Sequence, residues 1–228
     1  MTTTQQLSDF IRSRHSPRQF LPEPIPAPTL RQVLEDAQSA PSNSNTQPWN
    51  IHIVSGATKD RVTQAMIADL EAGKFHPDFN TDYGTDTYLR RSQELAASTY
   101  LAQGVARNDT EGRVEVIRKN LRFYDAPHAV FLFMPMMGDG IRASGDLGMY
   151  AQNFLLSLTA HGYHGIPLAS AAMFPDTVRE ILEVPAEFKL QFALAIGKGD
   201  PTSPLYNAGV GRVPLSESVT LHDTPGVL

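Results

Sequence analysis

Residues 141–160 read I-R-A-S-G-D-L-G-M-Y-A-Q-N-F-L-L-S-L-T-A, and the fold is decided by this stretch. Leu147, Tyr150, Ala151, Phe154, Leu155 and Leu158 recur at helical spacing on one face, while Met149 and Leu156 stand on the other. A helix that is apolar on most sides belongs in the centre of a fold. Working outward, Leu30, Val33, Leu34 and Ala37 define a helix opened by Pro28 and closed before Pro41. Weaker stripes predict helices over 58–72, 88–106 and 110–122. Asp176 is placed to cap a short helix carrying Val178, Ile181 and Leu182. Strands are expected at 51–54, 128–134, 166–171 and 190–196. The class that follows is α+β, helix-dominated, around a buried four-strand sheet.

The chain has 228 residues, no cysteine, a formal net charge of −5 and 41% hydrophobic residues. That length is expected to fold as one domain spanning 1–228. The lack of cysteine removes disulfide frameworks, thiolate nucleophiles, Cys-type zinc sites and iron–sulfur clusters. Mild acidity argues against a dedicated nucleic-acid binder, though it leaves room for a local basic pocket. Apolar runs such as 129–137 fall far short of the roughly 20 residues needed to cross a bilayer, so no membrane association is expected. The polar opening, with Asp9, lacks the pattern of a secretory leader, and a cytoplasmic location is expected. Turn-rich stretches lie at 22–29, 75–87 and 199–211; the middle one is long enough to serve as a lid.

Four segments carry candidate chemistry. Pro17 disfavours a helical Ser16, so Arg14, Ser16 and Arg18 project to one side of an extended chain. Two guanidiniums and a hydroxyl there make either an anion site or an exposed basic turn. Six consecutive polar residues, Ser42 to Gln47, lie between Pro41 and Pro48-Trp49 and offer donors and acceptors to a flat heterocycle, or merely connect helix to strand. The small residues of 165–172 let a ligand approach the backbone, or end a buried strand. Arg212, flanked by Gly209 and Gly211, is a fourth candidate beside the reading of a solvated arginine. His161 and His164 lack the spacing and the third ligand of a metal site, so no metal is expected and they read as a solvent-facing pair or helix-end charges. The glycines at 138, 140 and 145 form no dinucleotide or phosphate-loop fingerprint.

Taken in order, R-H-S-P-R-Q-F (14–20), A-P-S-N-S-N-T-Q-P-W (40–49) and G-R-V-P-L (211–215) resemble the motifs of the FMN-dependent nitroreductase family. N-L-R-F-Y-D-A-P (120–127) and D-L-G-M-Y-A-Q-N-F-L-L (146–156) are similar to it as well, so the likeness runs from about Phe10 to Asp223. It implies a nitroreductase-like fold with a mixed or antiparallel sheet of four to five strands, in an intertwined homodimer whose residues 199–228 reach the partner subunit. It also implies that Arg14, Ser16 and the backbone of His15 hold the phosphate and ribityl end of FMN, and that Arg18 faces the flavin pyrimidine. Ser42, Asn43 and Asn45 match contacts delivered from the partner subunit. Pro167, Leu168, Ala169 and Ser170 match the segment whose backbone addresses flavin N5, with the backbone of Ala169 and Ser170 acting there in place of any catalytic side chain. Arg212 matches a phosphate-binding arginine. Two departures are Ala169, where many members carry an acid or amide, and Val210, where many carry a second basic residue.

What the resemblance implies is hydride transfer from NADH or NADPH through FMN to a small nitroaromatic or quinone-like acceptor. A fixed guanidinium at Arg18 suits the negative charge a reduced flavin gathers near N1 and O2. Two alternatives remain at this point: a reductive dehalogenase or flavin-destroying relative of the same superfamily, and a flavin-binding protein without turnover. Phe123 and Tyr124 are either core or an aromatic wall against the acceptor. Tyr88, Arg90 and Arg91, beside the 75–87 loop, either cover the flavin or open a solvated helix.

Overall fold

The sheet is built on β2 (His128–Pro135), buried at every position through Met134. Such a run, without polar alternation, fits only a strand covered on both faces. The computed structural model, which describes residues 3–223 and Gly226, shows that arrangement. β2 lies between β1 (Asn50–Ser55) and β4 (Phe188–Gly197), and β3 (His164–Leu168) completes the order β1-β2-β4-β3. All three pairings are antiparallel. Ala129, Phe131 and Phe133 point to one face, where α3 (Gly56–Glu71), α5 (Thr110–Leu121) and α7 (Pro175–Leu182) bring Val62, Met66, Leu121 and Val178. Val130, Leu132 and Met134 point to the other, against α2 (Ala27–Ala37) and α6 (Ile141–Ala160). The fold is therefore α+β with an antiparallel four-strand sheet.

The apolar stripe of α6 is buried from Ala143 through Leu158. Its opposite side is open, with Ile141 71% and Met149 39% exposed. A Cβ added at Gly145 or Gly148 would meet nothing within 4 Å, so this side is small as well as exposed. Within one chain α6 is therefore half-enclosed, where a helix apolar on most sides was expected at the centre of the fold.

Two local expectations are corrected. β3 ends at Leu168 and the chain turns into a short 3-10 segment over Ser170–Met173, so the strand expected at 166–171 stops early. The small residues there serve a turn. α7 starts at Pro175 behind Phe174, and Asp176 makes no cap; its carboxylate accepts instead from Arg179 Nη2 at 2.6 Å, in the same turn. The 75–87 segment joins α3 to α4 (Asp86–Ala102), and its base is tied down. The buried Asp78 carboxylate accepts from both Arg179 Nη atoms (2.6 and 3.1 Å) and from Leu190 N (2.9 Å). No helix is long and apolar enough to cross a membrane among the described residues.

Candidate functional site

The extended segment after α1 (Thr4–Ser13) is stitched to the chain's C-terminal stretch. Arg18 N donates to Leu205 O (3.0 Å), Leu21 N to Lys198 O (2.8 Å) and Asp200 N to Gln19 O (3.1 Å). This pairing brings two motifs, separated by almost the whole sequence, to one place. A cavity of about 620 Å³ opens there, lined by Arg12, Arg14, Ser16, Arg18 and Arg212 together with the backbone at 209–211. Among the described residues no aspartate or glutamate lines it, in a chain whose net charge is −5. Arg14 Nη1 donates to Ser16 Oγ (3.2 Å) and Arg18 Nη1 to Ala208 O (2.8 Å). Arg14 has its pKa lowered by burial and by the like charge of Arg212, yet a guanidinium stays charged. Like charges packed without carboxylates are the electrostatics of a site made for an anion.

Behind this cavity the rings of His15, His164 and Tyr206 meet edge to face, with centroids 4.7 to 5.4 Å apart. His164 Nδ1 accepts from Gly199 N (3.2 Å) and its Nε2 lies 3.1 Å from Tyr206 Oη. Burial, aided by the nearby His15, pushes the His164 pKa down to about 4. Gly199 is required there: a Cβ would come within 2.9 Å of both Pro17 and Tyr206. His164 is thus a half-buried partner of the 199–206 segment, and the expectation of a solvent-facing His161–His164 pair fails for it.

Arg18 and Leu95 also line a second cavity of about 260 Å³, so the two run together. Its walls come from one face of α4 (Ser92, Leu95, Ala96, Thr99), from Tyr83 of the long loop, and from Asn120, Tyr124 and Ser170. The last three form a chain of polar groups. Ser170 Oγ donates to Asn120 Oδ1 (2.5 Å), and Asn120 Nδ2 donates to Tyr124 Oη (3.2 Å). Burial raises the Tyr124 pKa, while the adjoining Arg18 charge and hydrogen bonds from Arg18 and Asn120 pull against it. Ala169 faces a third space beneath the loop, shared with Gln191, whose buried Oε1 has no hydrogen-bond partner among the described residues. The pairing of β2 with β4 slips at Gln191, and such a bulge re-aims a side chain.

The sequence-predicted residues separate into three groups. Arg14, His15, Ser16, Arg18 and Arg212 converge on the first cavity, and Tyr124 and Ser170 reach the second. Ser42, Asn43 and Asn45 lie elsewhere, on a turn anchored by Asn43 N donating to both Asp146 carboxylate oxygens (3.0 and 3.1 Å). Pro167 is exposed and Leu168 buried, and neither lines the two cavities. Phe123 is a correction: it is fully buried in the core, edge to face with Phe131 at 5.7 Å, and cannot touch an acceptor. Tyr88, 58% exposed, and Arg90, paired at 4.0 Å with Glu94, stay outside both cavities. Residues that sequence reasoning missed are Arg12, Asn120 and the α4 face Ser92, Leu95, Ala96 and Thr99. Their i, i+3, i+4, i+7 spacing was a usable signal.

The α+β fold thus sets an arginine cavity, free of Asp and Glu among the described residues, against a chamber lined by Tyr83, Tyr100 and Tyr124, an arrangement suited to an anionic group beside a flat one. The chain belongs to the Nitroreductase family, whose sequence model matches residues 11–198. It is 36% identical, over 94% of its own length and 92% of the relative's, to nitroreductase NfnB of Mycolicibacterium smegmatis. It is 29% identical to a 4-nitrobenzoate reductase of Nocardioides sp., across 92% of this chain and 87% of that one. Among solved structures, the FMN-dependent nitroreductase NfnB from Mycobacterium smegmatis in complex with NADPH superposes with a TM-score of 0.89. The identity is 35%, and 96% of this chain and 98% of that one are covered.

Proposed function

We propose that the chain is an FMN-dependent nitroreductase that takes hydride from NADPH or NADH and reduces a nitroaromatic or quinone-like acceptor in a ping-pong cycle. One observation carries this reading: arginines lining a cavity with no Asp or Glu among the described residues, joined at Arg18 to a chamber walled by Tyr124 and Ser170. The donor set fits FMN, because a phosphate wants the guanidinium forks and hydroxyl found at Arg14, Ser16 and Arg212. FMN, when bound, supplies the relay of hydride between nicotinamide and acceptor. Arg12, Arg14 and Arg212 hold the phosphate, and Arg18 stands at the junction where charge is to be stabilised. Ser170, fixed by Asn120, keeps the turn after β3 in place beside the chamber. Tyr124 Oη accepts from Asn120, which leaves its own proton to donate to an acceptor oxygen.

The working form in this reading is a cytoplasmic homodimer. Two observations support the dimer: the exposed, small-residue side of α6, and the placement of Ser42, Asn43 and Asn45 away from their own chain's cavity. In the dimer those three residues serve the partner's flavin, while the C-terminal stretch from residue 199 contacts the partner subunit and keeps Arg212 at its own chain's cavity. Residues 224, 225, 227 and 228 of that stretch lie outside the described residues. The nitroreductase relatives favour this reading over dehalogenation and over binding without turnover. The test is FMN titration of the stripped protein by flavin fluorescence, followed by NADPH-dependent loss of the 4-nitrobenzoate absorbance. Quenched fluorescence with turnover supports the proposal; no FMN binding overturns it.

A further inference from the structure

α4 has a second open side. On the adjoining face of that helix lies another cavity, of about 620 Å³, between α4 and the start of α5. Ala96 and Tyr100 line both, so the two spaces adjoin at these side chains. Its remaining walls include Leu101, Val105, Arg107 and Arg113. The Arg113 guanidinium lies over the Tyr100 ring, 4.7 Å from its centroid. Its Nη1 also donates to Arg107 O at 3.4 Å, holding the two arginine positions together. Among the described residues neither arginine has a carboxylate partner within 4.0 Å. Asp109, which lies between them in sequence, is engaged with Gly112 N at 2.8 Å as the cap of α5.

A guanidinium stacked on a tyrosine offers a flat platform to an aromatic ring, and unpaired guanidiniums beside it suit a phosphate. A ligand matching both features carries a heterocyclic base and a phosphate close together. We infer that this cavity binds the 2′-phosphoadenosine end of NADPH, with the base on Arg113–Tyr100 and the 2′-phosphate on Arg107. The nicotinamide end then reaches past Tyr100 into the chamber beside Arg18. The inference rests on the proposed donor role of the nicotinamide nucleotide. It adds a specific consequence: the chain discriminates NADPH from NADH, which lacks that phosphate.

Calorimetry with adenosine 2′,5′-bisphosphate tests the cavity without any turnover, and adenosine 5′-monophosphate is the control. The bisphosphate is expected to bind the wild-type FMN-loaded protein, to compete with NADPH, and to bind at least about tenfold more tightly than the monophosphate, since charge-assisted bonds to phosphate are individually strong. Arg107→Ala and Arg113→Ala, both at exposed positions, are expected to abolish that preference. Each also lowers the NADPH-to-NADH ratio of kcat/KM about tenfold or more. Equal affinity for the two nucleotides, or a bisphosphate affinity that survives both substitutions, overturns the inference even if NADPH still reduces the flavin. Failure of both dinucleotides to bleach the flavin would instead fall on the proposed function, because the calorimetric result reads the cavity alone.

Discussion

His164→Asn isolates the contribution of the ring trio that backs the arginine cavity. Asn keeps an acceptor near the Nδ1 position, where Gly199 N donates, but it removes the titrating imidazole and its ring contacts. The His164 pKa falls from 6.5 to about 4 in the folded chain. A depressed folded value means that the unfolded chain binds the proton more readily. The associated stability is therefore fully present above pH 6.5 and is lost as pH falls towards 4. At about 1.4 kcal/mol per pH unit that span would amount to roughly 3 kcal/mol for a dry site, and the partial exposure of His164 reduces it to about 1.5 kcal/mol. For a chain of this size, about 1.5 kcal/mol moves the melting temperature by roughly 3–6 °C. The assay is thermal unfolding of both proteins across that pH span. His52 and His128, also shifted down by burial, titrate alike in both and cancel from the difference. The wild-type advantage at neutral pH should shrink by roughly 3–6 °C at the acid end. Parallel curves for wild type and variant would refute the reasoning.

Other expected outcomes follow from single contacts. Arg18→Ala should slow flavin reduction by NADPH in stopped flow more than it weakens FMN binding, whereas Arg212→Ala should mainly weaken FMN binding; equal FMN affinity in the two variants would sink this division. Phe123→Ala should cost about 3–5 kcal/mol in urea unfolding, as for a buried core ring, without a selective rise in the acceptor KM. Asp78→Ala leaves the buried Arg179 guanidinium without its main partner and unties the long loop, so a loss of roughly 3–5 kcal/mol is expected in the same assay.

Much of the fold was legible because it follows from period alone. The α6 boundaries come out at Ile141 and Ala160 as read, and β2 was plain from its unbroken apolar run. Arg14 to Arg18 and Arg212 were found as separate motifs, but their convergence depends on the pairing of 18–21 with 198–205, a long-range contact with no local pattern. Phe123 and Tyr124 were indistinguishable as neighbours. They part because Phe123, Tyr124 and Asp125 adopt φ of 59°, 52° and 60°, a left-handed turn that sends one ring to the core and the other to the chamber. His164 looked exposed at a helix end, and only Tyr206 and Gly199, arriving from far along the chain, bury it. Asp176 had the composition of a cap, and the strong pull of Arg179 took it elsewhere.

The most direct measurement of the central claim is an anaerobic half-reaction cycle on the FMN-loaded protein. The yellow absorbance should bleach on addition of NADPH and return when 4-nitrobenzoate is added, with the nitro compound consumed in proportion to the flavin reoxidised. A flavin that stays yellow with both NADPH and NADH, or that bleaches and is not reoxidised by any nitroaromatic or quinone, would contradict the account.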